Sequence, residues 1–75
     1  MAAEQGHVRA EHNLGLAYHR GEGVPQNSAE AFKWFLKAAE QGNAKAQNNV
    51  AVMYHRGDGV EKDAAEALKW FRKAA

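Results

Sequence analysis

Cysteine is absent from the 75 residues, which removes a disulfide framework, zinc-finger spacing and any thiol nucleophile. Serine occurs once, at Ser28, so no Ser-x-x-Lys arrangement suited to acyl transfer can be written. No apolar run approaches the roughly 18 residues of a membrane span. The opening Met-Ala-Ala-Glu-Gln-Gly-His lacks the charged and apolar regions of a signal peptide. Excess charge is also missing: ten Lys+Arg against nine Asp+Glu leave +1, which argues against general nucleic-acid affinity, although charge can cluster locally. A cysteine-free chain fits a reducing compartment, and a cytoplasmic location is the expectation. What remains is ordinary globular material, 45% hydrophobic and 25% charged, which excludes a disordered tail. A chain this short buries only about 60% of its unfolded surface, so one modest core is expected.

Against these absences stands a repetition. Ala-Glu-Gln-Gly at 3–6 returns at 39–42, and Tyr-His-Arg-Gly at 18–21 returns at 54–57. Gly23-Val24 recurs as Gly59-Val60, and Lys33-Trp34-Phe35 as Lys69-Trp70-Phe71. Each pair is offset by 36 positions. A fixed period in the range of about 20–50 residues marks stacked repeats, and such arrays build surfaces for partners more often than reaction centres.

Each unit reads as two helices around a glycine-rich turn. From about His7 to Arg20, Ala10, Leu14, Ala17 and Tyr18 form one stripe of a 3.6-residue period. Ala46, Val50, Met53 and Tyr54 repeat it. Gly21 and Gly57 follow His-Arg pairs, as helix C-termini prefer. The turns Gly21-Glu22-Gly23 and Gly57-Asp58-Gly59 have neither the preceding strand nor the Gly-Lys-Ser/Thr of a phosphate loop. Asn27 with Glu30, and Asp63 with Glu66, are spaced as an N-cap and the carboxylate three residues on, at N3. Ala31, Trp34, Phe35 and Ala38 then predict a buried stripe, as do Ala67, Trp70, Phe71 and Ala74. Gly42 ends the second helix, and Asn43 can cap the next.

The frame Ala10-x2-Asn13-Leu14-Gly15-x2-Tyr18-x2-Gly21-x-Gly23-Val24, followed by Ala31-x2-Trp34-Phe35-x-Lys37-Ala38-Ala39-x2-Gly42, resembles the Sel1-like repeat. The second copy keeps this frame, with Val50 and Ala51 in place of Leu14 and Gly15. The period of 36 also exceeds the 34 of the related tetratricopeptide repeat. The resemblance implies an all-α, right-handed α-solenoid of two antiparallel helix–turn–helix units, with the first helix of each lining a concave side. It places repeat 1 at 7–42 and repeat 2 at 43–75. Residues 1–6 become the tail of a preceding repeat's helix, which makes the chain an excised or engineered piece of a longer array. Proteins of this kind look like adaptors in bacterial signalling, host interaction and eukaryotic quality control. Some secreted members with paired cysteines are linked to penicillin binding or β-lactam hydrolysis; the missing cysteines and Ser-x-x-Lys keep that activity from being carried over.

No constellation of reactive groups emerges. His12 and His19 lie two helical turns apart, with α-carbons separated by about 10.5 Å. That is too far for the i, i+4 pair that shares zinc. His19 and His55 sit on adjacent units at roughly the 8–10 Å of packed helices, without a carboxylate or thiolate to complete a site. The carboxylates fall at caps (Glu30, Asp63, Glu66), turns (Glu22, Asp58) or exposed faces (Glu4, Glu40), so no pair has its pKa tuned by burial. Neither an enzyme, nor a metal, nor a cofactor is expected. By the tetratricopeptide analogy Arg9, His12, Leu16, His19 and Arg20, with Lys45, Asn48, Val52, His55 and Arg56, point into the concavity. The expected function is a protein–protein interaction scaffold whose basic groove takes a peptide or protein segment bearing carboxylates. The alternatives are a minimal structural unit with no ligand of its own and a helical repeat that binds RNA. Two units without a polar cap should leave apolar surface exposed, Trp70 and Phe71 in particular, and so favour self-association.

Overall fold

In a computed structural model, which describes residues 2–75 and the side chains from His7 onward, the chain forms four helices. They are α1 (Ala2–Arg20), α2 (Ser28–Glu40), α3 (Ala44–Arg56) and α4 (Ala64–Ala74). Among the described residues there is no strand, and no helix is long and apolar enough to cross a membrane. Consecutive helices carry the main contacts, α1 on α2, α2 on α3 and α3 on α4. The resulting slab measures 33 × 29 × 13 Å, an all-α solenoid of two hairpins.

Side-chain caps set where three helices begin. The carboxamide oxygen of Asn27 accepts from the Glu30 N–H (3.1 Å), Asn43 from Ala46 (2.8 Å) and Asp63 from Glu66 (3.1 Å). Each satisfies one of the amides that a helix start leaves without a partner. The reciprocal half of a capping box does not form, because the Asn27 and Asp63 amides donate to the carbonyls of Tyr18 and Tyr54 (2.9 and 3.0 Å). Glu30 and Glu66 turn instead to Lys33 and Lys69, one turn on. Those two backbone bonds close the hairpins. Gly57 adopts the left-handed conformation (φ 69°), and the Asp58 N–H bonds the Met53 carbonyl (3.0 Å), as the Glu22 N–H bonds that of Ala17 (2.9 Å). This is the bonding pattern of a Schellman stop.

Two features of α1 differ from the sequence reading. The break anticipated at Gly6 is absent, since α1 runs unbroken from Ala2. At the equivalent Gly42 (φ 94°) the turn is imposed by α3 folding back on α2. A glycine inside a helix costs only about 1 kcal/mol, so Gly6 by itself does not end α1. The stripe Ala10–Leu14 is also exposed rather than packed, while its counterparts Ala46 and Val50 are buried. For α3 those positions face α2, the second helix of the preceding unit.

The core lies on both sides of α2. Ala31, Phe35, Ala38 and Ala39 of α2 meet Ala46, Val50, Ala51 and Met53 of α3, with Trp70 joining from α4. Trp34 is only half-buried; Lys37 stands over its ring at 4.7 Å. Trp70, expected to stay partly exposed, is buried among the core residues and covered by Lys73 at 4.7 Å, whereas Phe71 is exposed as expected. Small residues let the helices approach. A Cβ on Gly15 would stand 2.6 Å from the Phe35 ring, and that ring is too enclosed to move aside.

Gly15→Ala should therefore lower stability to urea by about 1–3 kcal/mol through overpacking, despite alanine's higher helix propensity. The turn glycines offer an internal comparison. A Cβ at Gly59 would collide with the Ser28 carbonyl, whereas one at Gly23 would meet nothing within 4 Å. Both positions pay about 1–2 kcal/mol for a left-handed backbone; Gly59→Ala is expected to cost clearly more than Gly23→Ala in the same denaturation.

Candidate binding cleft

The first helices of the two units, α1 and α3, flank a cleft of about 1080 Å³. Val8, Arg9, His12, Asn13 and Leu16 form one wall, and Gln41, Gly42, Asn43, Ala44 and Lys45 the other. Of the ten residues anticipated for the groove, Arg9, His12, Leu16 and Lys45 come together here. Asn48 shares a shallower depression of about 340 Å³ with Lys45, Phe71 and Ala74. Arg20, His55 and Arg56 are exposed at the C-terminal ends of α1 and α3, and Val52 is half-buried; none of these lines the large cleft.

The walls are held from behind. The Gln41 side chain donates from Nε2 to the buried Glu11 (2.6 Å) and to the Lys37 carbonyl (3.2 Å). His12 lies against Phe35, ring centres 5.6 Å apart, and its Nε2 is 3.1 Å from the amide nitrogen of Asn49 on α3. An amide N–H must donate there, which leaves Nε2 unprotonated and the proton on Nδ1. Burial and, after it, the Lys45 charge push the His12 pKa below its usual value, in keeping with a neutral ring. Leu16 packs partly on the core and provides an apolar floor.

His19 has a different role from the one anticipated. Its Nε2 meets Asp58 Oδ2 at 3.2 Å, so the turn of the second unit is clasped to the first. The Ser28 hydroxyl is the leading influence holding the Asp58 carboxyl below the usual range; partial burial opposes it, and His19 and Arg56 add to it. The sequence reading treated Asp58 as a turn residue alone. The recurrence of an acid between two glycines, Glu22 and Asp58, was the available signal. Gln41, Gly42 and Asn43 were likewise read only as a helix end and cap, although Gln-Gly recurs at 5–6 and 41–42. Glu11 and its counterpart Gln47, which donates to the Ala39 carbonyl (3.1 Å), are buried polar positions that periodicity alone did not mark. No group of three or more His, Cys, Asp or Glu that could hold a metal occurs among the described residues.

Residues 8–43 and 44–75 each match the family model of the Sel1 repeat. Among solved structures, the chain is 57% identical over 97% of its length to c5321, a protective antigen present in uropathogenic Escherichia coli strains and displaying an SLR fold (TM-score 0.90). It is 47% identical over 93% of its length to a Sel1 repeat protein from Oxalobacter formigenes (TM-score 0.89). The chain spans 16% and 29% of those two proteins. No curated protein matches it.

His12 and Asp58 both bear on stability at neutral and acidic pH. The neutral form of His12 is favoured by the fold, so the unfolded chain binds more protons just below the usual histidine pKa. Stability is then complete above about pH 6.5 and declines as the pH falls through the lowered value. Asp58 favours its ionised form, so its contribution is complete above about pH 4 and is lost below it. Chemical denaturation at pH 7, 5 and 3 should show both declines, with His12→Gln removing the upper and Asp58→Asn the lower.

Proposed function

Because the chain belongs to the Sel1 repeat family, whose members are in general protein–protein interaction modules, we propose that its α1–α3 cleft holds a carboxylate-bearing segment of another protein. The observation that carries this reading is the charge of the lining. Arg9 and Lys45 stand in the walls, the capped start of α3 forms one end, and none of the lining residues is acidic. A volume of about 1080 Å³ lies at the upper limit for small-molecule sites, about 300–1,000 Å³, and suits a run of peptide. Leu16 and Val8 accept apolar side chains, and the two cations give charge-assisted hydrogen bonds to carboxylates. Arg20 and Arg56, exposed beyond the cleft, extend the positive edge and steer approach. His12 sits where a bound carboxylate would favour its protonated form.

Calorimetric titration with a ten-residue Glu- and Leu-containing peptide tests the reading. Arg9→Glu with Lys45→Glu should weaken binding at least tenfold, and the Gln-for-Glu peptide should fail to bind. Arg20→Glu with Arg56→Glu should produce a smaller loss that vanishes in high salt. Affinity should rise as the pH falls from 7 to 5.5, an increase that His12→Gln removes. Undiminished affinity in the Arg9/Lys45 double variant would exclude the cleft, and salt-steep retention of single-stranded RNA on a filter would favour a nucleic-acid role.

A further inference from the structure

Two histidines of α1 reach across the boundary between the units, and their contacts make different demands on the proton. His12 Nε2 lies 3.1 Å from the amide nitrogen of Asn49, and His19 Nε2 lies 3.2 Å from Asp58 Oδ2. Both partners belong to the second unit. The two rings flank the Phe35 side chain, their centres 5.6 and 6.4 Å from it. They stand two helical turns apart on one helix, so the first tie sits at the cleft and the second at the turn that follows α3. Only the second uses a histidine of the repeated frame: His19 recurs as His55, whereas the counterpart of His12 is Asn48.

An amide N–H is accepted only by a bare ring nitrogen, so the His12–Asn49 bond needs a neutral imidazole. A carboxylate accepts from a ring N–H, which the neutral Nε2–H tautomer and the charged ring both provide, so the His19–Asp58 bond survives either state. The surroundings differ in the same sense. His12 faces Lys45 from α3 and the uncharged Phe35 from α2. On its own helix Arg9 lines the same cleft, while Glu11 is buried and engaged by Gln41. None of the cleft-lining residues is acidic, so a proton on His12 puts a third positive charge among them. Turning the Asn49 amide over would restore one hydrogen bond and leave that repulsion in place. His19 faces Asp58, which the Ser28 hydroxyl supports and which also feels Arg56. With its carboxyl held below the usual range, Asp58 stays ionised through the interval of about pH 5–8 in which histidines exchange their charge.

We propose that the seam is a proton-operated hinge for the cleft: protonation of His12 releases α1 from α3 on the cleft side, while the His19–Asp58 tie holds the turn side as the pivot. Acid therefore widens the gap between Arg9 and Lys45 without separating the units. A guest carboxylate cancels the added charge, so proton and guest assist each other's binding, and each raises the other's affinity by the same factor. That last consequence rests on the cleft being the seat of the guest; the motion itself does not.

The cysteine-free chain accepts pairs of spin labels without further change. One pair, at Ala10→Cys and Asn48→Cys, joins α1 and α3 beside the cleft; a second, at Glu22→Cys and Glu61→Cys, joins the two turns. All four positions are exposed. Pulsed electron–electron distances in the free chain should lengthen across the first pair between pH 7.5 and pH 5 and stay constant across the second. Nitrogen-15 spectra of the rings should show His12 as the Nδ1–H tautomer at pH 7.5, with a titration midpoint that matches the distance change. His12→Gln, whose amide oxygen accepts from Asn49 at any pH, should hold the cleft pair at its short distance. His19→Gln, which still donates to Asp58, should leave the response intact. Retained helical circular dichroism checks the folding of each variant. A cleft pair that does not lengthen although the His12 ring has titrated, or a lengthening that persists in His12→Gln, overturns the proposal. No peptide enters these measurements, so an immobile seam and a failed peptide titration are separate results.

Discussion

The seating of Phe35 is the constraint on which the rest of the architecture turns. Its ring lies on α2, against the bare backbone of Gly15 on α1, between the imidazoles of His12 and His19 at 5.6 and 6.4 Å. Val50 and Ala51 of α3 complete the core around it. Burying one such ring contributes about 3 kcal/mol, a large share of what a chain of this length can muster. Its effect on placement matters as much. Three helices converge on one side chain, and the cleft is the space that remains between α1 and α3 once they have done so.

The groups that line the cleft are thus positioned by packing together with a few hydrogen bonds behind them. His12 touches the ring from above and reaches Asn49 on α3, which fixes the spacing of the two walls. Gln41 is fixed through Glu11, which places the turn carrying Asn43 and with it the start of α3, where Lys45 stands. In a repeat array each unit lends its neighbour part of a surface, and the cleft is built that way: Arg9 comes from one unit and Lys45 from the next.

Much of this was legible in the residues, for identifiable reasons. Asn27, Asn43 and Asp63 announced helix starts because capping is a local event. Ala31, Phe35 and Ala38 announced the core because α2 is flanked on both sides, so its apolar stripe has somewhere to go. The same logic misplaced Ala10 and Leu14, whose stripe is identical in pattern but faces the end of the slab. Pattern reports what a side chain can do, while burial depends on a neighbour that the pattern does not contain. Gly6 misled for the same reason, its turn elsewhere being imposed by tertiary contact. The His19–Asp58 clasp was hidden because it joins residues 39 apart, and composition assigns each of them separately to a helix end and a turn. The family frame, by contrast, was readable from many positions coinciding at one spacing, and it correctly gave an all-α solenoid.

The arrangement in which consecutive helices alone carry the main contacts has a mechanical meaning. Among the described residues no comparable contact joins α1 to α4, so any bending of the slab is taken up along the seam between α2 and α3. Flexing there changes the gap between α1 and α3, and works against the His12–Asn49 and His19–Asp58 contacts that span the seam. A guest lodged in that gap would act as a wedge and set the local curvature. In a long run of such units, small wedges add, and occupancy at one place is written into the bend of the whole rod.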